Sequence, residues 1–199
     1  MTARSEQKKR SYRSIVASAA RLLRAKGIAG ANVAEVMKGA GMTVGGFYAH
    51  FESKEAMVDA ALQRAAEEMC EALFAGLEAR PMADRVGLVL ERYLSAAHRD
   101  HQTHGCALPA VVGEIATTAP EHGVTLRAQI DGMAQLICTH LPDPGPLPGR
   151  HLALGLVALM YGGLSLSQAL KGSPLSDEVL KACRALGVHA AKRAAPRSA

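Results

Sequence analysis

Apolar residues recur at intervals of three and four along almost the whole chain, and this spacing constrains the fold more than any other feature. In the stretch from Ser11 to Lys26, for example, Ile15, Ala19 and Leu22 fall on one side of a helix. No run of strand length alternates apolar and polar residues in a convincing way. The sequence therefore predicts an all-α protein.

Start and stop signals divide this pattern into separate helices. Gly27 is the predicted stop of the first helix, and Asn32, Thr43 and Ser53 are predicted N-caps of the next three. The fourth helix is predicted to end near residue 80. Further helices are predicted over 84–99, 106–117, 121–140, 150–171 and 175–194, and a proline-rich loop is predicted over 141–149.

The positive charge of the chain is concentrated in its first quarter. The net charge of the 199 residues is +5, but residues 1–54 hold ten Lys and Arg against three acidic residues, a net of +7. Residues 55–199 carry a net of −2. A field of this kind attracts a polyanion, either nucleic acid or an anionic membrane surface.

Cysteine usage and the N-terminus suggest a cytoplasmic protein. The four cysteines lie far apart and form no CxxC pair, so neither a disulfide framework nor a structural zinc module is indicated. Residues 1–10 are polar and basic, which does not fit a secretory signal. The uncharged stretch 152–170 is just long enough to span a membrane, but its glycines and polar residues favour a buried or interface helix.

Two short predicted helices lie next to each other, downstream of a basic segment. Asn32 begins the first, Gly41 breaks the chain after it, and Thr43 begins the second. This spacing is typical of a helix-turn-helix, whose second helix enters the major groove of DNA with its N-terminal end. The pattern therefore favours DNA as the polyanion.

The same region carries a family resemblance. Residues 32–55 read NVAEVMKGAGMTVGGFYAHFESKE, in which an Ala-Gly turn is followed at fixed offsets by Gly-Phe-Tyr, His-Phe and Ser-Lys-Glu. This run resembles the DNA-binding signature of the TetR/AcrR transcriptional regulators. The resemblance implies an N-terminal three-helix helix-turn-helix DNA-binding domain over residues 1–54 and a C-terminal helical ligand-binding and dimerisation domain over residues 55–199.

The resemblance also implies individual DNA contacts. Thr43 matches a phosphate-contacting hydroxyl, although a plain helix cap explains a Thr there equally well. Tyr48, His50 and Lys54 match phosphate contacts, with a solvated charge as the alternative for Lys54. Phe47 is expected in the core, as is the aromatic residue at position 51. The predicted DNA-binding residues are Arg10, Arg13, Asn32, Thr43, Val44, Gly45, Gly46, Tyr48, His50 and Lys54.

The third helix has few means of reading bases directly. It has no Arg, Asn or Gln, which leaves a contact of Val44 with a thymine methyl group and the close backbone approach that Gly45 and Gly46 permit. Two adjacent glycines weaken a helix by about 1 kcal/mol each relative to alanine. We therefore expect this helix to be partly disordered until DNA orders it. The basic residues before it, Arg4, Lys8, Lys9 and Arg10, are expected either to reach DNA or to form a solvated tail.

The remaining helices resemble the family's regulatory domain by position and length. The resemblance implies a homodimer through the last two helices, a palindromic operator and a small-molecule effector. Cys106 resembles a cysteine that begins a helix in some relatives, and a thiol there could sense electrophiles or oxidants, although a small buried residue is the alternative. Candidate effector contacts, each with core packing as its alternative, are Met133, His140, Met160 and Tyr161.

Three other function classes are disfavoured. His98, His101 and His104 do not share one helical face, so no metal site or cofactor is expected. Cys106, His104 and Glu114 contain the residue types of a nucleophile, a base and an acid, but nothing in the sequence fixes their geometry, so an enzyme is not expected. The cations of the first helix do not line one face, which argues against membrane binding.

Overall fold

The computed structural model describes residues 3–101, 105–142 and 148–193, and every regular element in these ranges is a helix. The all-α prediction is therefore confirmed. Three short 3₁₀ helices cover Val44–Ala49, Leu77–Ala79 and Pro120–His122. The α-helices are α1 (Ala3–Gly30), α2 (Val33–Gly39), α3 (Lys54–Phe74), α4 (Met82–Tyr93), α5 (Ala96–Asp100), α6 (Leu108–Thr117), α7 (Gly123–His140), α8 (Gly149–Ala169) and α9 (Pro174–Arg193).

Helix α1 extends beyond the predicted helix at its N-terminal end. It begins at Ala3 instead of Ser11, because residues 3–10 contain no Gly or Pro and are rich in Lys, Arg, Glu and Gln, which all favour helix. The described basic residues before Ser11 are therefore helical, and they are exposed to solvent. Gly27, the predicted stop, leaves the helical conformation with φ 72° and ψ −170°, and a short helical segment follows it as far as Gly30.

The predicted helix over 84–99 is two helices. Leu94 leaves the helical conformation with φ −89° and ψ 56°. Ser95 then caps α5, and its Oγ accepts a hydrogen bond from the backbone N–H of His98 at 3.1 Å. The predicted loop over 141–149 agrees with the end of α7 and the start of α8, while residues 143–147 lie outside the described residues.

The chain divides into two compact units, and the first contains residues 1–69 and 102–127. It differs from the predicted domain of residues 1–54, since it also takes in most of α3, all of α6 and the start of α7. Helix α6 packs against α1. The shared core includes the fully buried side chains of Ile15, Leu23, Met37, Phe47 and Met57, with Val111 of α6 added to them.

The second unit contains residues 70–101 and 128–199. Helices α8 and α9 pack closely within it, since a Cβ on Gly163 would lie only 2.9 Å from the Sγ atom of Cys183. Where these helices meet at one end, the buried Ser167 and Ser176 hydroxyls are hydrogen-bonded to each other at 2.9 Å. Arg99 of α5 donates to Asp177 at 2.6 Å, which fastens α5 to the start of α9.

Helix α8 is long and apolar enough to cross a membrane by length and composition alone. Within the protein, 44% of its most apolar window is buried. Leu156, Met160 and Leu164 lie on its buried side and recur at the spacing of one helical turn.

Candidate nucleic-acid interface

A short helix and a tight turn lead into the candidate interface. Asn32 caps α2, and its Oδ1 accepts a hydrogen bond from the backbone N–H of Glu35 at 2.9 Å. Val36 and Met37 of α2 are fully buried. Gly41 then turns the chain with a φ of 71°, a conformation that favours glycine. Asn32 therefore acts as a helix cap in this structure, as its sequence position predicts.

The segment after the turn is helical, as predicted, but it is a 3₁₀ helix rather than an α-helix. Gly45 and Gly46 contribute no side chains that would reinforce an α-helix, and glycine is a poor former of α-helix. Thr43 stands at the N-cap with extended backbone but makes no side-chain capping bond. Its exposed hydroxyl is thus not committed to a capping bond and is placed where a ligand can reach it.

One side of the 3₁₀ helix faces solvent. Tyr48 is 77% exposed and Val44 is 51% exposed, which is unusual for residues of this size. A Cβ on Gly45 would meet no atom within 4 Å, and one on Gly46 would meet only the end of Met37 at 3.8 Å. The exposed face therefore has room for a bound molecule to approach the backbone closely.

The opposite side of the 3₁₀ helix rests on stacked aromatic rings. Phe47 and Phe51 are 1% and 6% exposed, which confirms the prediction that they belong to the core. Their ring centroids are 5.7 Å apart, and the ring of Tyr12 from α1 stacks on Phe51 at 5.0 Å. This stack fixes the position of the exposed face relative to α1.

The start of α3 lies beside the 3₁₀ helix. Ser53 precedes α3, and its Oγ accepts a hydrogen bond from the backbone N–H of Ala56 at 3.2 Å. Lys54, the first residue of α3, is half-buried. Hydrogen bonds from its own backbone N–H and from Ser53 lower the pKa of Glu55, which is the behaviour of an acid in the first turn of a helix.

A basic basin of about 460 Å³ lies between α1 and the end of the 3₁₀ helix. No ion pair within the described residues engages its two lysines or its arginine. The ring of His50 also lines it, and the buried Nδ1 atom of that ring has no hydrogen-bond partner among the described residues. The basin is lined by Ser5, Lys8, Lys9, Tyr12, Arg13 and His50.

The two arginines predicted as DNA contacts lie three residues apart on α1, which puts them about 60° apart around the helix axis. Arg13 lines the basin, whereas Arg10 is exposed and is not among the residues that line it. Lys8 and Lys9, for which the sequence left a DNA contact and a solvated tail both open, line the basin together with Arg13.

Comparisons with known proteins agree with this architecture. Residues 15–61 match the family model described as "Bacterial regulatory proteins, tetR family". A TetR transcriptional regulator from Chloroflexus aurantiacus superposes with a TM-score of 0.77 and 28% sequence identity, covering 92% of this chain and 95% of that one. Residues 15–61 therefore match the DNA-binding segment of the tetR family, and the chain has the fold of TetR transcriptional regulators. Its helix-turn-helix consists of α2 and the 3₁₀ helix, and transcription regulation by DNA binding is the shared activity of the family.

Two further solved structures have the same fold. A TetR-family regulator from Cytophaga hutchinsonii is 22% identical, with a TM-score of 0.75 and coverage of 92% of this chain and 96% of that one. The reduced form of NemR from Escherichia coli is 20% identical, with a TM-score of 0.73 and coverage of 89% and 94%. No match was found among curated proteins.

Polar contacts fasten the segment around α6 to α1. The Arg24 side chain of α1 is 3% exposed and donates to the carbonyl oxygen of Gly105 at 2.8 Å and to Glu68 at 2.7 Å. At the other end of the segment, the carboxylate of Glu114 accepts hydrogen bonds from the backbone N–H groups of Ile28 and Ala29. These contacts hold the residues immediately before α2.

A second set of polar contacts joins α3 to the start of α7. Asp59 Oδ1 accepts a hydrogen bond from the Thr125 hydroxyl at 2.6 Å and lies 2.9 Å from the Nδ1 atom of His122. His122 is 1% exposed. Asp59 stands only five residues after Lys54, so this cluster supports the helix that begins at the interface.

The candidate effector residues are distributed over both units. Cys106 belongs to the first unit, is half-buried and precedes α6 by two residues. The other candidates belong to the second unit. His140 ends α7 and its ring stacks on Phe74 with centroids 5.3 Å apart, and burial lowers its pKa. Met160 is buried, while Met133 and Tyr161 are half-buried.

Several residues that the sequence offered for a metal site or an enzyme make other contacts in the described part of the chain. Glu114 is engaged by backbone N–H groups, and the Nδ1 atom of His98 lies 2.7 Å from the carbonyl oxygen of Tyr93. His104 lies outside the described residues. Over residues 3–101, 105–142 and 148–193, no group of three His, Cys, Asp or Glu residues could hold a metal ion.

Proposed function

We propose that this chain is a homodimeric, ligand-responsive repressor that is released from a palindromic operator by a small molecule. The observation that carries the proposal is the exposed face of the 3₁₀ helix. Tyr48 and Val44 project from a buried aromatic stack, next to a basin lined by cations. Exposed residues on a rigid support, beside positive charge, are what docking on duplex DNA requires.

The residues of this face divide into positioning contacts and base contacts. Tyr48, His50, Lys54 and Thr43 contact phosphates, and these contacts set the register of the protein on the duplex. Val44 contacts a thymine methyl group, while the open space at Gly45 allows the backbone to approach the base edges. Direct reading of bases is therefore sparse, and the shape of the DNA contributes much of the specificity.

Helices α8 and α9 support the dimer. Each has an uncharged, apolar stripe that faces away from its own core. On α8 the stripe passes through Gly155, Gly162 and Leu166, and a Cβ on either glycine would meet nothing within 4 Å. On α9 it passes through Leu175 and Leu186, and the leucines at 166, 175 and 186 are 57%, 49% and 60% exposed. A second copy of the chain would cover these stripes symmetrically.

The dimer explains how a ligand would release DNA. Two copies related by a twofold axis place their 3₁₀ helices in successive major grooves of a palindromic site. A ligand that binds better to a different dimer geometry moves the two helices out of register. An allosteric coupling of about 1 to 3 kcal/mol is sufficient for a 5- to 150-fold change in affinity. We propose that the protein acts in the cytoplasm, without a membrane partner.

The decisive experiment is selection of bound fragments from random duplex DNA by the full chain, followed by release with a library of metabolites. Recovery of a palindromic sequence, and loss of binding with particular metabolites, is the expected result. A Val44→Ala variant serves as a matched comparison, because its selected sequences should differ at the thymine position alone. Recovery of no preferred sequence by the wild-type chain would contradict the proposal.

A thiol-based response at Cys106 is a second candidate for the regulatory signal. Cys106 directly follows Gly105, whose carbonyl oxygen holds Arg24 of α1. Alkylation of the Cys106 thiolate by an electrophile would add bulk beside this contact, and the structure of NemR, a protein of the same fold, is described as the reduced form. Treatment with an alkylating agent should weaken DNA binding by the wild-type chain and leave the Cys106→Ser variant unaffected. Equal weakening in both would assign the effect to other cysteines.

A further inference from the structure

We propose that the basic extension of α1 and the ring of His50 form a second seat for a DNA phosphate, beside the helix-turn-helix. This inference rests on the proposed function and adds a contact to it. The seat consists of Lys8, Lys9, Arg13 and His50, and we call it the α1 seat. Lys8 and Lys9 were not assigned a DNA contact by the family signature, which begins at Asn32.

The basic extension of α1 faces the helix-turn-helix. Lys8 and Lys9 lie four and three residues before Tyr12 and share its side of α1, and Arg13, about 100° farther around the helix axis, lines the same basin. The Tyr12 ring stacks on Phe51 at 5.0 Å, which turns this side toward the helix-turn-helix. The same side of α1 is apolar and buried farther along, at Ile15 and Ala19. This side of α1 is therefore apolar where it packs on the core and basic toward its N-terminal end.

The basin is lined by cations and by no carboxylate. Lys8, Lys9 and Arg13 are exposed, and none of them forms an ion pair within the described residues. Glu6 is the sole acidic residue of residues 3–13, and it does not line the basin. Three cations that converge on one basin without a carboxylate repel each other. A bound anion removes this repulsion.

The basin is large enough to hold a phosphate group. Its volume of about 460 Å³ exceeds that of a single phosphate group. The tyrosine ring forms one wall, and the His50 ring, whose buried Nδ1 has no described partner, forms another. Lys and Arg side chains around such a basin can donate several charge-assisted hydrogen bonds to the oxygens of one phosphate.

These features point to a phosphate of the duplex rather than to a free anion. Flexible, exposed lysines bind a small anion weakly, because the ordering of their side chains opposes the gain in contact energy. A duplex that Tyr48 and Lys54 already hold presents a further phosphate to the basin at a high effective concentration. His50 connects the two sites, since it ends the 3₁₀ helix and lines the basin.

The test compares two double variants of the full chain. Lys8→Gln with Lys9→Gln removes two charges from the α1 seat. Lys181→Gln with Lys192→Gln removes the same two charges from exposed positions on α9 and serves as the control. Affinity is measured for a selected duplex and for a mixed-sequence duplex over a range of salt concentrations, and thermal unfolding verifies that both variants fold.

The seat predicts that Lys8→Gln with Lys9→Gln binds both duplexes several-fold more weakly. It also predicts a salt dependence that is less steep by about 0.9 for each phosphate that the variant no longer neutralises, while the control keeps the wild-type slope. If Lys8→Gln with Lys9→Gln kept the wild-type salt dependence, or if the control changed equally, the α1 seat would be disproved and the proposed function would remain. Failure of the wild-type chain to bind any duplex would overturn the proposed function itself.

Inorganic phosphate distinguishes the two sources of the anion. At constant ionic strength, we expect inorganic phosphate to shift the thermal midpoints of the wild-type chain and of Lys8→Gln with Lys9→Gln by the same amount. Selective stabilisation of the wild-type chain would assign the basin to a free anion and would overturn the assignment to DNA.

Discussion

The carboxylate of Glu114 on α6 accepts hydrogen bonds from two backbone N–H groups at the end of α1, from Ile28 at 2.5 Å and from Ala29 at 3.0 Å. These N–H groups directly follow the break at Gly27 and are the first of the short helical segment beyond it, so they would otherwise need another partner. One side chain therefore connects the segment before the helix-turn-helix to a helix 86 residues away in sequence. The arrangement makes Glu114 a positioning residue for the DNA-binding part of the chain.

Glu114→Ala is expected to destabilise the protein by about 1 to 3 kcal/mol, because it leaves two N–H groups without their acceptor. The free energy of unfolding in urea measures the destabilisation. Glu71→Ala, which removes an exposed glutamate from α3, is the matched control and should change stability by less than about 0.5 kcal/mol. Equal effects of the two substitutions would argue that the contact between α6 and α1 has no stabilising role.

Gly27→Ala tests the backbone conformation at the kink, next to the carboxylate of Glu114. The backbone of Gly27, with φ 72° and ψ −170°, lies in a region that is almost restricted to glycine and costs other residues about 1 to 3 kcal/mol. A Cβ at this position would also lie 2.6 Å from Oε2 of Glu114. Gly132→Ala in the middle of α7 meets no neighbour within 4 Å and should instead stabilise by up to about 1 kcal/mol. Thermal unfolding that ranks the two variants in the opposite order would contradict this account.

Tyr48→Ala and Lys54→Ala are expected to weaken binding to every duplex to the same degree. Both side chains are assigned to phosphates, but only Lys54 carries a charge, so Lys54→Ala should also make the salt dependence less steep by about 0.9, whereas Tyr48→Ala should leave it nearly unchanged. Fluorescence anisotropy with several unrelated duplexes measures both effects. A change in base preference at constant salt dependence would mean that these residues read bases.

Leu186→Glu is expected to convert the dimer to monomers, because it places a charge in the centre of the apolar stripe of α9. Sedimentation equilibrium measures the change in mass. Val124→Glu, at a position on α7 that is 71% exposed, introduces the same charge outside α8 and α9 and should leave the dimer intact. A Leu186→Glu variant with the mass of the wild-type chain would exclude this stripe as the interface.

Stability is expected to fall as the pH is lowered through the ordinary range of histidine. Burial is the main cause that lowers the pKa of His98, with a smaller contribution from nearby His101, whereas the hydrogen bond to Tyr93 raises it. The unfolded chain therefore takes up a proton at a pH where the folded chain does not, and stability decreases below about pH 6.5 until the folded-state pKa is reached.

The measurement is the free energy of unfolding between about pH 7 and about pH 5. His98→Gln should show a smaller decrease than the wild-type chain, and His151→Gln, at an exposed position on α8, should follow the wild-type curve. His140 contributes a decrease of the same sign, since burial lowers its pKa as well. If the His98→Gln variant followed the wild-type curve, His98 would not be a cause of the decrease in stability.

Local patterns were sufficient to predict the helix-turn-helix, because caps and turns depend on neighbouring residues. The cap at Asn32, the turn at Gly41 and the buried ring of Phe47 were all predicted from the sequence. The break at Ser95 was missed. Serine is a preferred N-cap residue, and Ser95 caps α5 by accepting the N–H of His98, so its residue type was a usable signal.

Contacts between distant segments could not be predicted in the same way. The pairing of Glu114 with Ile28 and that of Asp59 with His122 depend on the packing of α6 and α7 against earlier helices. Nothing near Glu114 in sequence indicates an acceptor for the end of α1. The basic side of α1 could have been found, since Lys8 and Lys9 fall beside Tyr12 on a helical projection once the helix is extended to Ala3.

Amide hydrogen exchange of the full chain, with and without a selected duplex, tests the central claim most directly. The claim is that the 3₁₀ helix Val44–Ala49 docks on DNA and that its two glycines leave it only marginally stable beforehand. The account predicts fast exchange over these residues in the free protein and strong protection in the complex. Exchange that is equally slow in both states, or protection confined to other helices, would contradict it.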